Sequence, residues 1–187
     1  MTMAASSMIP LGYMAKAVAE KADWLEASQV QDIYSVSGCI AANFCNYIPF
    51  WKHNGYWFFD SPEIIRSVAE QASVDLTSMH IFFYEAYDRQ FDGETWEPYV
   101  PEASFATNVE VPRTKRLEGF DIVTFSVGTC AECSPLSCNY FAKAIATNAH
   151  CLLVSFEVAY SLLESGAFEN SEPGPYRIFA VYSVDEV

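Results

Sequence analysis

Apolar positions along this chain follow two rhythms, and their changes predict its elements. Met14, Val18, Ala22 and Leu25 recur on one face of residues 13–26, which predicts a helix. Residues 28–55 mix small, aromatic and turn-forming residues and read as irregular or partly helical. A short strand is expected at Tyr56–Phe59. A helix then starts at Ser61, with Pro62 in its first turn, Glu63 at its positive end, and Ile65, Val68, Ala69 and Ala72 as its stripe. Residues 79–88 are apolar on both faces and predict a central, doubly covered strand. Residues 89–118, broken by Gly93, Pro98, Pro101 and Pro112, form a long excursion. Strands are expected at 120–127, 151–156 and 176–184, with helices from Pro135 to about Asn148 and over 157–165.

The expected fold class is α/β or α+β. It is a single globular domain over residues 1–187, a mixed β-sheet flanked by helices, with a C-terminal half ordered β-α-β-α-β. Glu85 falls in line with Met79, Ile81, Phe83 and Tyr87, so it needs a partner such as Arg177 or must stay protonated.

Composition narrows the function classes. With 187 residues, 51 % hydrophobic and 16 % aromatic, the chain can bury a real core and disorder is excluded. Its net charge of −14, from 24 acidic and 10 basic residues, repels phosphate backbones and anionic lipids and attracts a basic protein partner. Nucleic-acid and membrane partners are therefore set aside. No basic leading region precedes the first apolar residues, and no apolar run reaches the ~18 residues of a membrane span, so a cytoplasmic location is expected. In that compartment Cys39, Cys45, Cys130, Cys133, Cys138 and Cys151 are expected as reduced thiols rather than a disulfide framework.

The segment GTCAECSPLSCNYFA, residues 128–142, admits two readings. With Ser134 as N-cap, Cys133 and Cys138 take the two positions of a hydrophobic staple across a helix start, and Cys138 faces the core. The same placement puts Cys133 at the positive end of a helix, which favours a thiolate and makes Cys133 and Cys130 candidate catalytic residues. Cys130-Ala-Glu-Cys133, after a strand and before a helix, resembles the active-site segment of thioredoxin-like proteins. That resemblance runs from residue 121 to about 182 and implies a redox pair with Pro175 cis against it. The family's aromatic residue before the first cysteine is Thr129 here, and Glu132 opposes thiolate formation.

A cysteine hydrolase instead needs a base, and His80 on the central strand is the candidate. Zinc on Cys130, Cys133 and Cys138 with His150, His53 or His80 lacks a second closely spaced ligand pair, so neither metal nor cofactor is expected.

Residues 83–105 interleave acids with aromatics. Tyr84, Tyr87, Asp88, Asp92, Glu94, Trp96 and Tyr99 are the candidate binding residues, aromatics for affinity and acids for steering. The function expected from the sequence is an acidic interaction protein for a basic partner, such as an immunity protein neutralising a cationic toxin. A thiol-dependent enzyme centred on Cys133 is the alternative.

Overall fold

A computed structural model describes residues 7–47, 52–125 and 133–184. Ten elements follow one another among them. They are β1 (Met8–Lys16), β2 (Ala19–Glu20), β3 (Asp32–Ile33), α1 (Pro62–Ala72), β4 (His80–Phe91), β5 (Trp96–Pro98), β6 (Lys115–Thr124), α2 (Pro135–Cys138), α3 (Phe156–Glu164) and β7 (Tyr176–Val184). The α+β class holds. The main sheet runs β1-β4-β7-β6, with β5 beside β1 on the same edge of β4, and β2 and β3 form a separate ribbon. Every pairing is antiparallel, so the mixed sheet expected from the sequence is corrected.

The helix expected at 13–26 is instead β1, β2 and a 3-10 turn at Asp23–Leu25. Residues 11–16 of β1 are all buried, so both faces are covered and no period of two survives in the sequence. The strand bulges between Pro10 and Gly12, whose φ is +125°. A Cβ on Gly12 would lie 2.3 Å from the Phe59 carbonyl oxygen, so only glycine lets β1 approach that segment, where Tyr13 bridges Phe59. The strand expected at 56–59 is reduced to that bridge.

α1 starts where its local signals place it: Ser61 Oγ accepts Ile64 N, and Ile65, Val68 and Ala69 are buried against the sheet core. Ser155 caps α3 the same way, through Val158 N. Alternate residues of β6 and β7 divide between two cores. Val123, Phe179 and Val181 join Phe83 and Tyr84 in one, and Ile122 and Ile178 join Leu136, Phe156 and Leu163 in the other.

The C-terminal half departs from the expected order. α2 is a single turn, because Tyr140 takes a left-handed φ of 67° and a 3-10 turn follows at Phe141–Lys143. The strand expected at 151–156 contributes one antiparallel bridge, Leu153 to Phe120, and Cys151 is left-handed. Asn148 is no left-handed cap; its side chain ties this loop together by donating to Glu118 O and accepting His150 N and Leu152 N.

Candidate functional site

The deepest polar cluster is built around Asp121, fully buried on β6. Its Oδ1 accepts Ser134 Oγ at 2.6 Å and Ile122 N at 2.9 Å; its Oδ2 accepts Ser35 Oγ at 2.9 Å and Val36 N at 2.8 Å. Lys16, the last residue of β1 and 1 % exposed, donates its ammonium to Ser35 O and Ser37 O. Burial raises the Asp121 carboxyl above its ordinary range, against the pull of Ser134, Val36, Ser35 and Lys16. Burial lowers Lys16 to about 7, against the opposing pull of Asp121 and the weaker pulls of Cys45 and Cys138.

The thiols lie beside this cluster. The sulfurs of Cys39, Cys133 and Cys138 are all within 4.8 Å of one another, Cys39 exposed and Cys133 buried. Ser37 links two of them: its Oγ accepts Cys39 N at 3.1 Å and pairs with Cys138 Sγ at 3.8 Å. Cys133 Sγ donates to Asn139 Oδ1 at 3.8 Å, and Cys133 O accepts Thr124 N of β6. Cys133 and Cys138 thus do meet across the start of α2, as a staple requires. Ser134 makes no side-chain cap, however, since its hydroxyl goes to Asp121.

Among the described residues Cys133 Sγ bonds Asn139, and no hydrogen bond joins it to His80. Burial and the neighbouring Cys138 push the Cys133 thiol well up, and burial raises Cys138, so both stay protonated near neutral pH. His80 is exposed at the first residue of β4, in register with Lys16, its ring facing Phe82. Cys130 lies outside the described residues. The Gly174–Pro175 bond is cis, as the thioredoxin-like resemblance implies. Among the described residues there is no parallel β-α-β unit here, because α2 is one turn and Leu153 bridges Phe120 antiparallel. The other two histidines are engaged elsewhere: His150 bonds Asp32 and stacks on Tyr34, and His53 stacks on Trp57.

The aromatic and acidic residues of 83–105 separate into core and surface. Tyr84, Tyr99 and Phe91 are buried, which corrects the placement of Tyr84 and Tyr99 in a docking surface. Tyr84 lies between Phe58 and Phe82, its hydroxyl buried without a hydrogen-bond partner among the described residues. The Arg177 guanidinium packs on the rings of both Tyr99 and Phe125, 3.9 and 3.8 Å from their centroids. Glu85 consequently pairs with Lys115 and accepts Tyr182 Oη at 2.7 Å, rather than meeting Arg177.

Trp96, half-buried on β5, remains at the surface. Its ring stacks on Tyr160 of α3 with centroids 4.8 Å apart and planes 6° from parallel, and its Nε1 donates to Glu164. Tyr87 meets both Trp96 and Phe156 edge-on. Glu164 thus sits against the pair, Asp92, Glu94 and Glu97 of the hairpin and Glu157 of α3 are exposed, and Asp88 is half-buried. Asp92 also shapes the hairpin, because its Oδ1 accepts Glu94 N and Thr95 N and so closes the β4–β5 turn. Tyr160 and Glu164 escaped the sequence reading. Their i,i+4 spacing on α3 was the available signal, but nothing local joined it to Trp96.

Compared with protein-family models, with curated proteins and with solved structures, the chain matches none. No helix among the described residues is long and apolar enough to cross a membrane.

Proposed function

We propose that the protein is an acidic interaction module that docks a basic protein partner on the face formed by the β4–β5 hairpin and α3. The observation that carries this reading is the Trp96–Tyr160 stack, half-exposed and edged by acidic groups. An aromatic pair held rigid before binding loses little entropy on docking and supplies apolar area, the usual make-up of an interface hot spot. The exposed carboxylates around it, with Arg89 as the cation on the same hairpin, speed encounter with a positively charged surface and disfavour acidic competitors. Net charge of −14 supports the same polarity of partner. An immunity protein neutralising a cationic toxin, such as a nuclease, is the particular form we propose.

Selection of peptides from a displayed random-sequence library against the whole chain tests this. Lys- and Arg-rich binders are expected, weakened by salt and lost on combining Glu94→Lys with Glu97→Lys. Binders without positive charge, or indifferent to both reversals, would count against the reading.

A further inference from the structure

We propose that Cys39, Cys133 and Cys138 form a binding site for a thiophilic divalent cation of the zinc class. Three thiols from two distant stretches of chain converge within 4.8 Å, on a path that opens at exposed Cys39 and ends at buried Cys133. Zinc–thiolate bonds of ~2.3 Å set sulfurs about 3.8 Å apart around one ion, so the observed cluster needs to contract by roughly 1 Å or less. Ligands of this softness select zinc and its heavier relatives over magnesium or calcium.

The surroundings are those of a supported site. Ser37 touches Cys138 Sγ and fixes the Cys39 amide, and Asn139 holds Cys133 Sγ. Lys16 anchors the loop that carries Cys39 through Ser35 O and Ser37 O, and so fixes where that thiol can approach the other two. Asp121 bonds both thiol-bearing segments, Ser35 and Val36 on one side and Ser134 on the other, and so sets their separation. On binding, each thiol exchanges its proton, released to solvent, for a sulfur–metal bond, and a water fills the fourth position. The staple packing and the metal site are the same geometry: what brings Cys133 and Cys138 together across the α2 start leaves them ready for a third sulfur.

The test uses the reduced, full-length chain, stripped with a chelator and titrated with Zn²⁺ against a competing indicator, with Co²⁺ as a spectroscopic probe. One equivalent of zinc, a sulfur-to-cobalt charge-transfer band and a metal-dependent rise in Tm are expected. Cys39→Ser, at an exposed position that folding tolerates, is expected to weaken zinc by more than the roughly 10–100-fold that loss of an outer partner costs. Cys45→Ser, outside the cluster, leaves affinity unchanged. Absence of stoichiometric binding by the reduced protein, a cobalt spectrum without sulfur character, or equal affinity in Cys39→Ser and the parent would each overturn the proposal.

Discussion

Ser134 donates its hydroxyl to the Asp121 carboxylate at 2.6 Å, at the point where a helix-starting serine ordinarily bonds the amide two or three residues ahead. The bond joins α2 to β6. Because the other Asp121 oxygen holds Ser35 and Val36, one buried carboxylate ties together the two segments that carry the thiols.

Removing this hydroxyl is therefore unlike removing a cap. Ser155→Ala, which deletes a true cap of α3, is expected to cost about 1 kcal/mol. Ser134→Ala strips a donor from a buried carboxylate and is expected to cost about 2–3 kcal/mol. In a double-mutant cycle with Asp121→Asn, the coupling energy is expected to exceed about 1 kcal/mol. Urea titrations of the four proteins measure it; additive effects would show that Ser134 acts locally.

Lys16 sets a pH dependence of stability. Its folded-state pKa is lowered to about 7 from 10.5, so between these values the unfolded chain binds the extra proton. Stability then rises as pH rises from about 7, by up to about 1.4 kcal/mol per pH unit. The opposite sign applies to Cys151, pushed up to about 12 from 9.0, and to Tyr13 and Tyr99, pushed up to about 12 from 10.0, each chiefly by burial. There the folded state keeps protons that the unfolded chain loses, so Cys151 lowers stability with rising pH from about 9 and the two tyrosines from about 10, against the continuing Lys16 gain. A maximum a little above pH 9, where the thiol and phenol losses overtake the Lys16 gain, is expected in metal-free reducing buffer. Lys16→Met is expected to flatten the rising limb alone; a rise that persists in that variant would assign it elsewhere.

Gly119 and Gly93 separate backbone strain from crowding. Both have positive φ, +150° and +111°. A Cβ at Gly93 meets nothing within 4 Å, whereas at Gly119 it would lie 2.7 Å from Leu152 Cβ and 2.8 Å from Leu153 O. Gly93→Ala is expected to cost about 1–2 kcal/mol from strain. Gly119→Ala adds roughly 1–3 kcal/mol by forcing the 151–153 loop off β6. Chemical denaturation midpoints compare them, and equal shifts would deny the close approach.

What was legible in the sequence was local. Ser61-Pro62-Glu63 announced α1 because capping uses neighbours within one turn, and β4 and β7 were visible as apolar runs. β1 was not, since burial of both faces erased its alternation and left Met14, Val18, Ala22 and Leu25 at an accidental helical spacing. The early end of α2 goes with the left-handed Tyr140, whose ring meets distant Trp24 edge-on, a contact no window around 135–148 contains. At the thiol centre, Cys133 and Cys138 were found by spacing, while Cys39 joins them only through the fold. On the acidic face, nothing in residues 83–105 distinguished Tyr84 and Tyr99, buried in the core, from Trp96, half-buried against α3.

The docking face is tested most directly by comparing two tryptophans. Trp24, 41 % exposed and edge-on to Tyr140, is an aromatic pair elsewhere on the surface with Glu26 and Lys143 nearby. The dissociation constant of the tightest selected cationic peptide is measured for the parent, Trp96→Ala and Trp24→Ala, with thermal unfolding verifying that each remains folded at the assay temperature. Trp96→Ala is expected to weaken binding by more than about tenfold, or ~1.4 kcal/mol, and Trp24→Ala to leave it within about twofold. Equal losses, or a loss confined to Trp24→Ala, would contradict the assignment of the partner to the β4–β5 and α3 face.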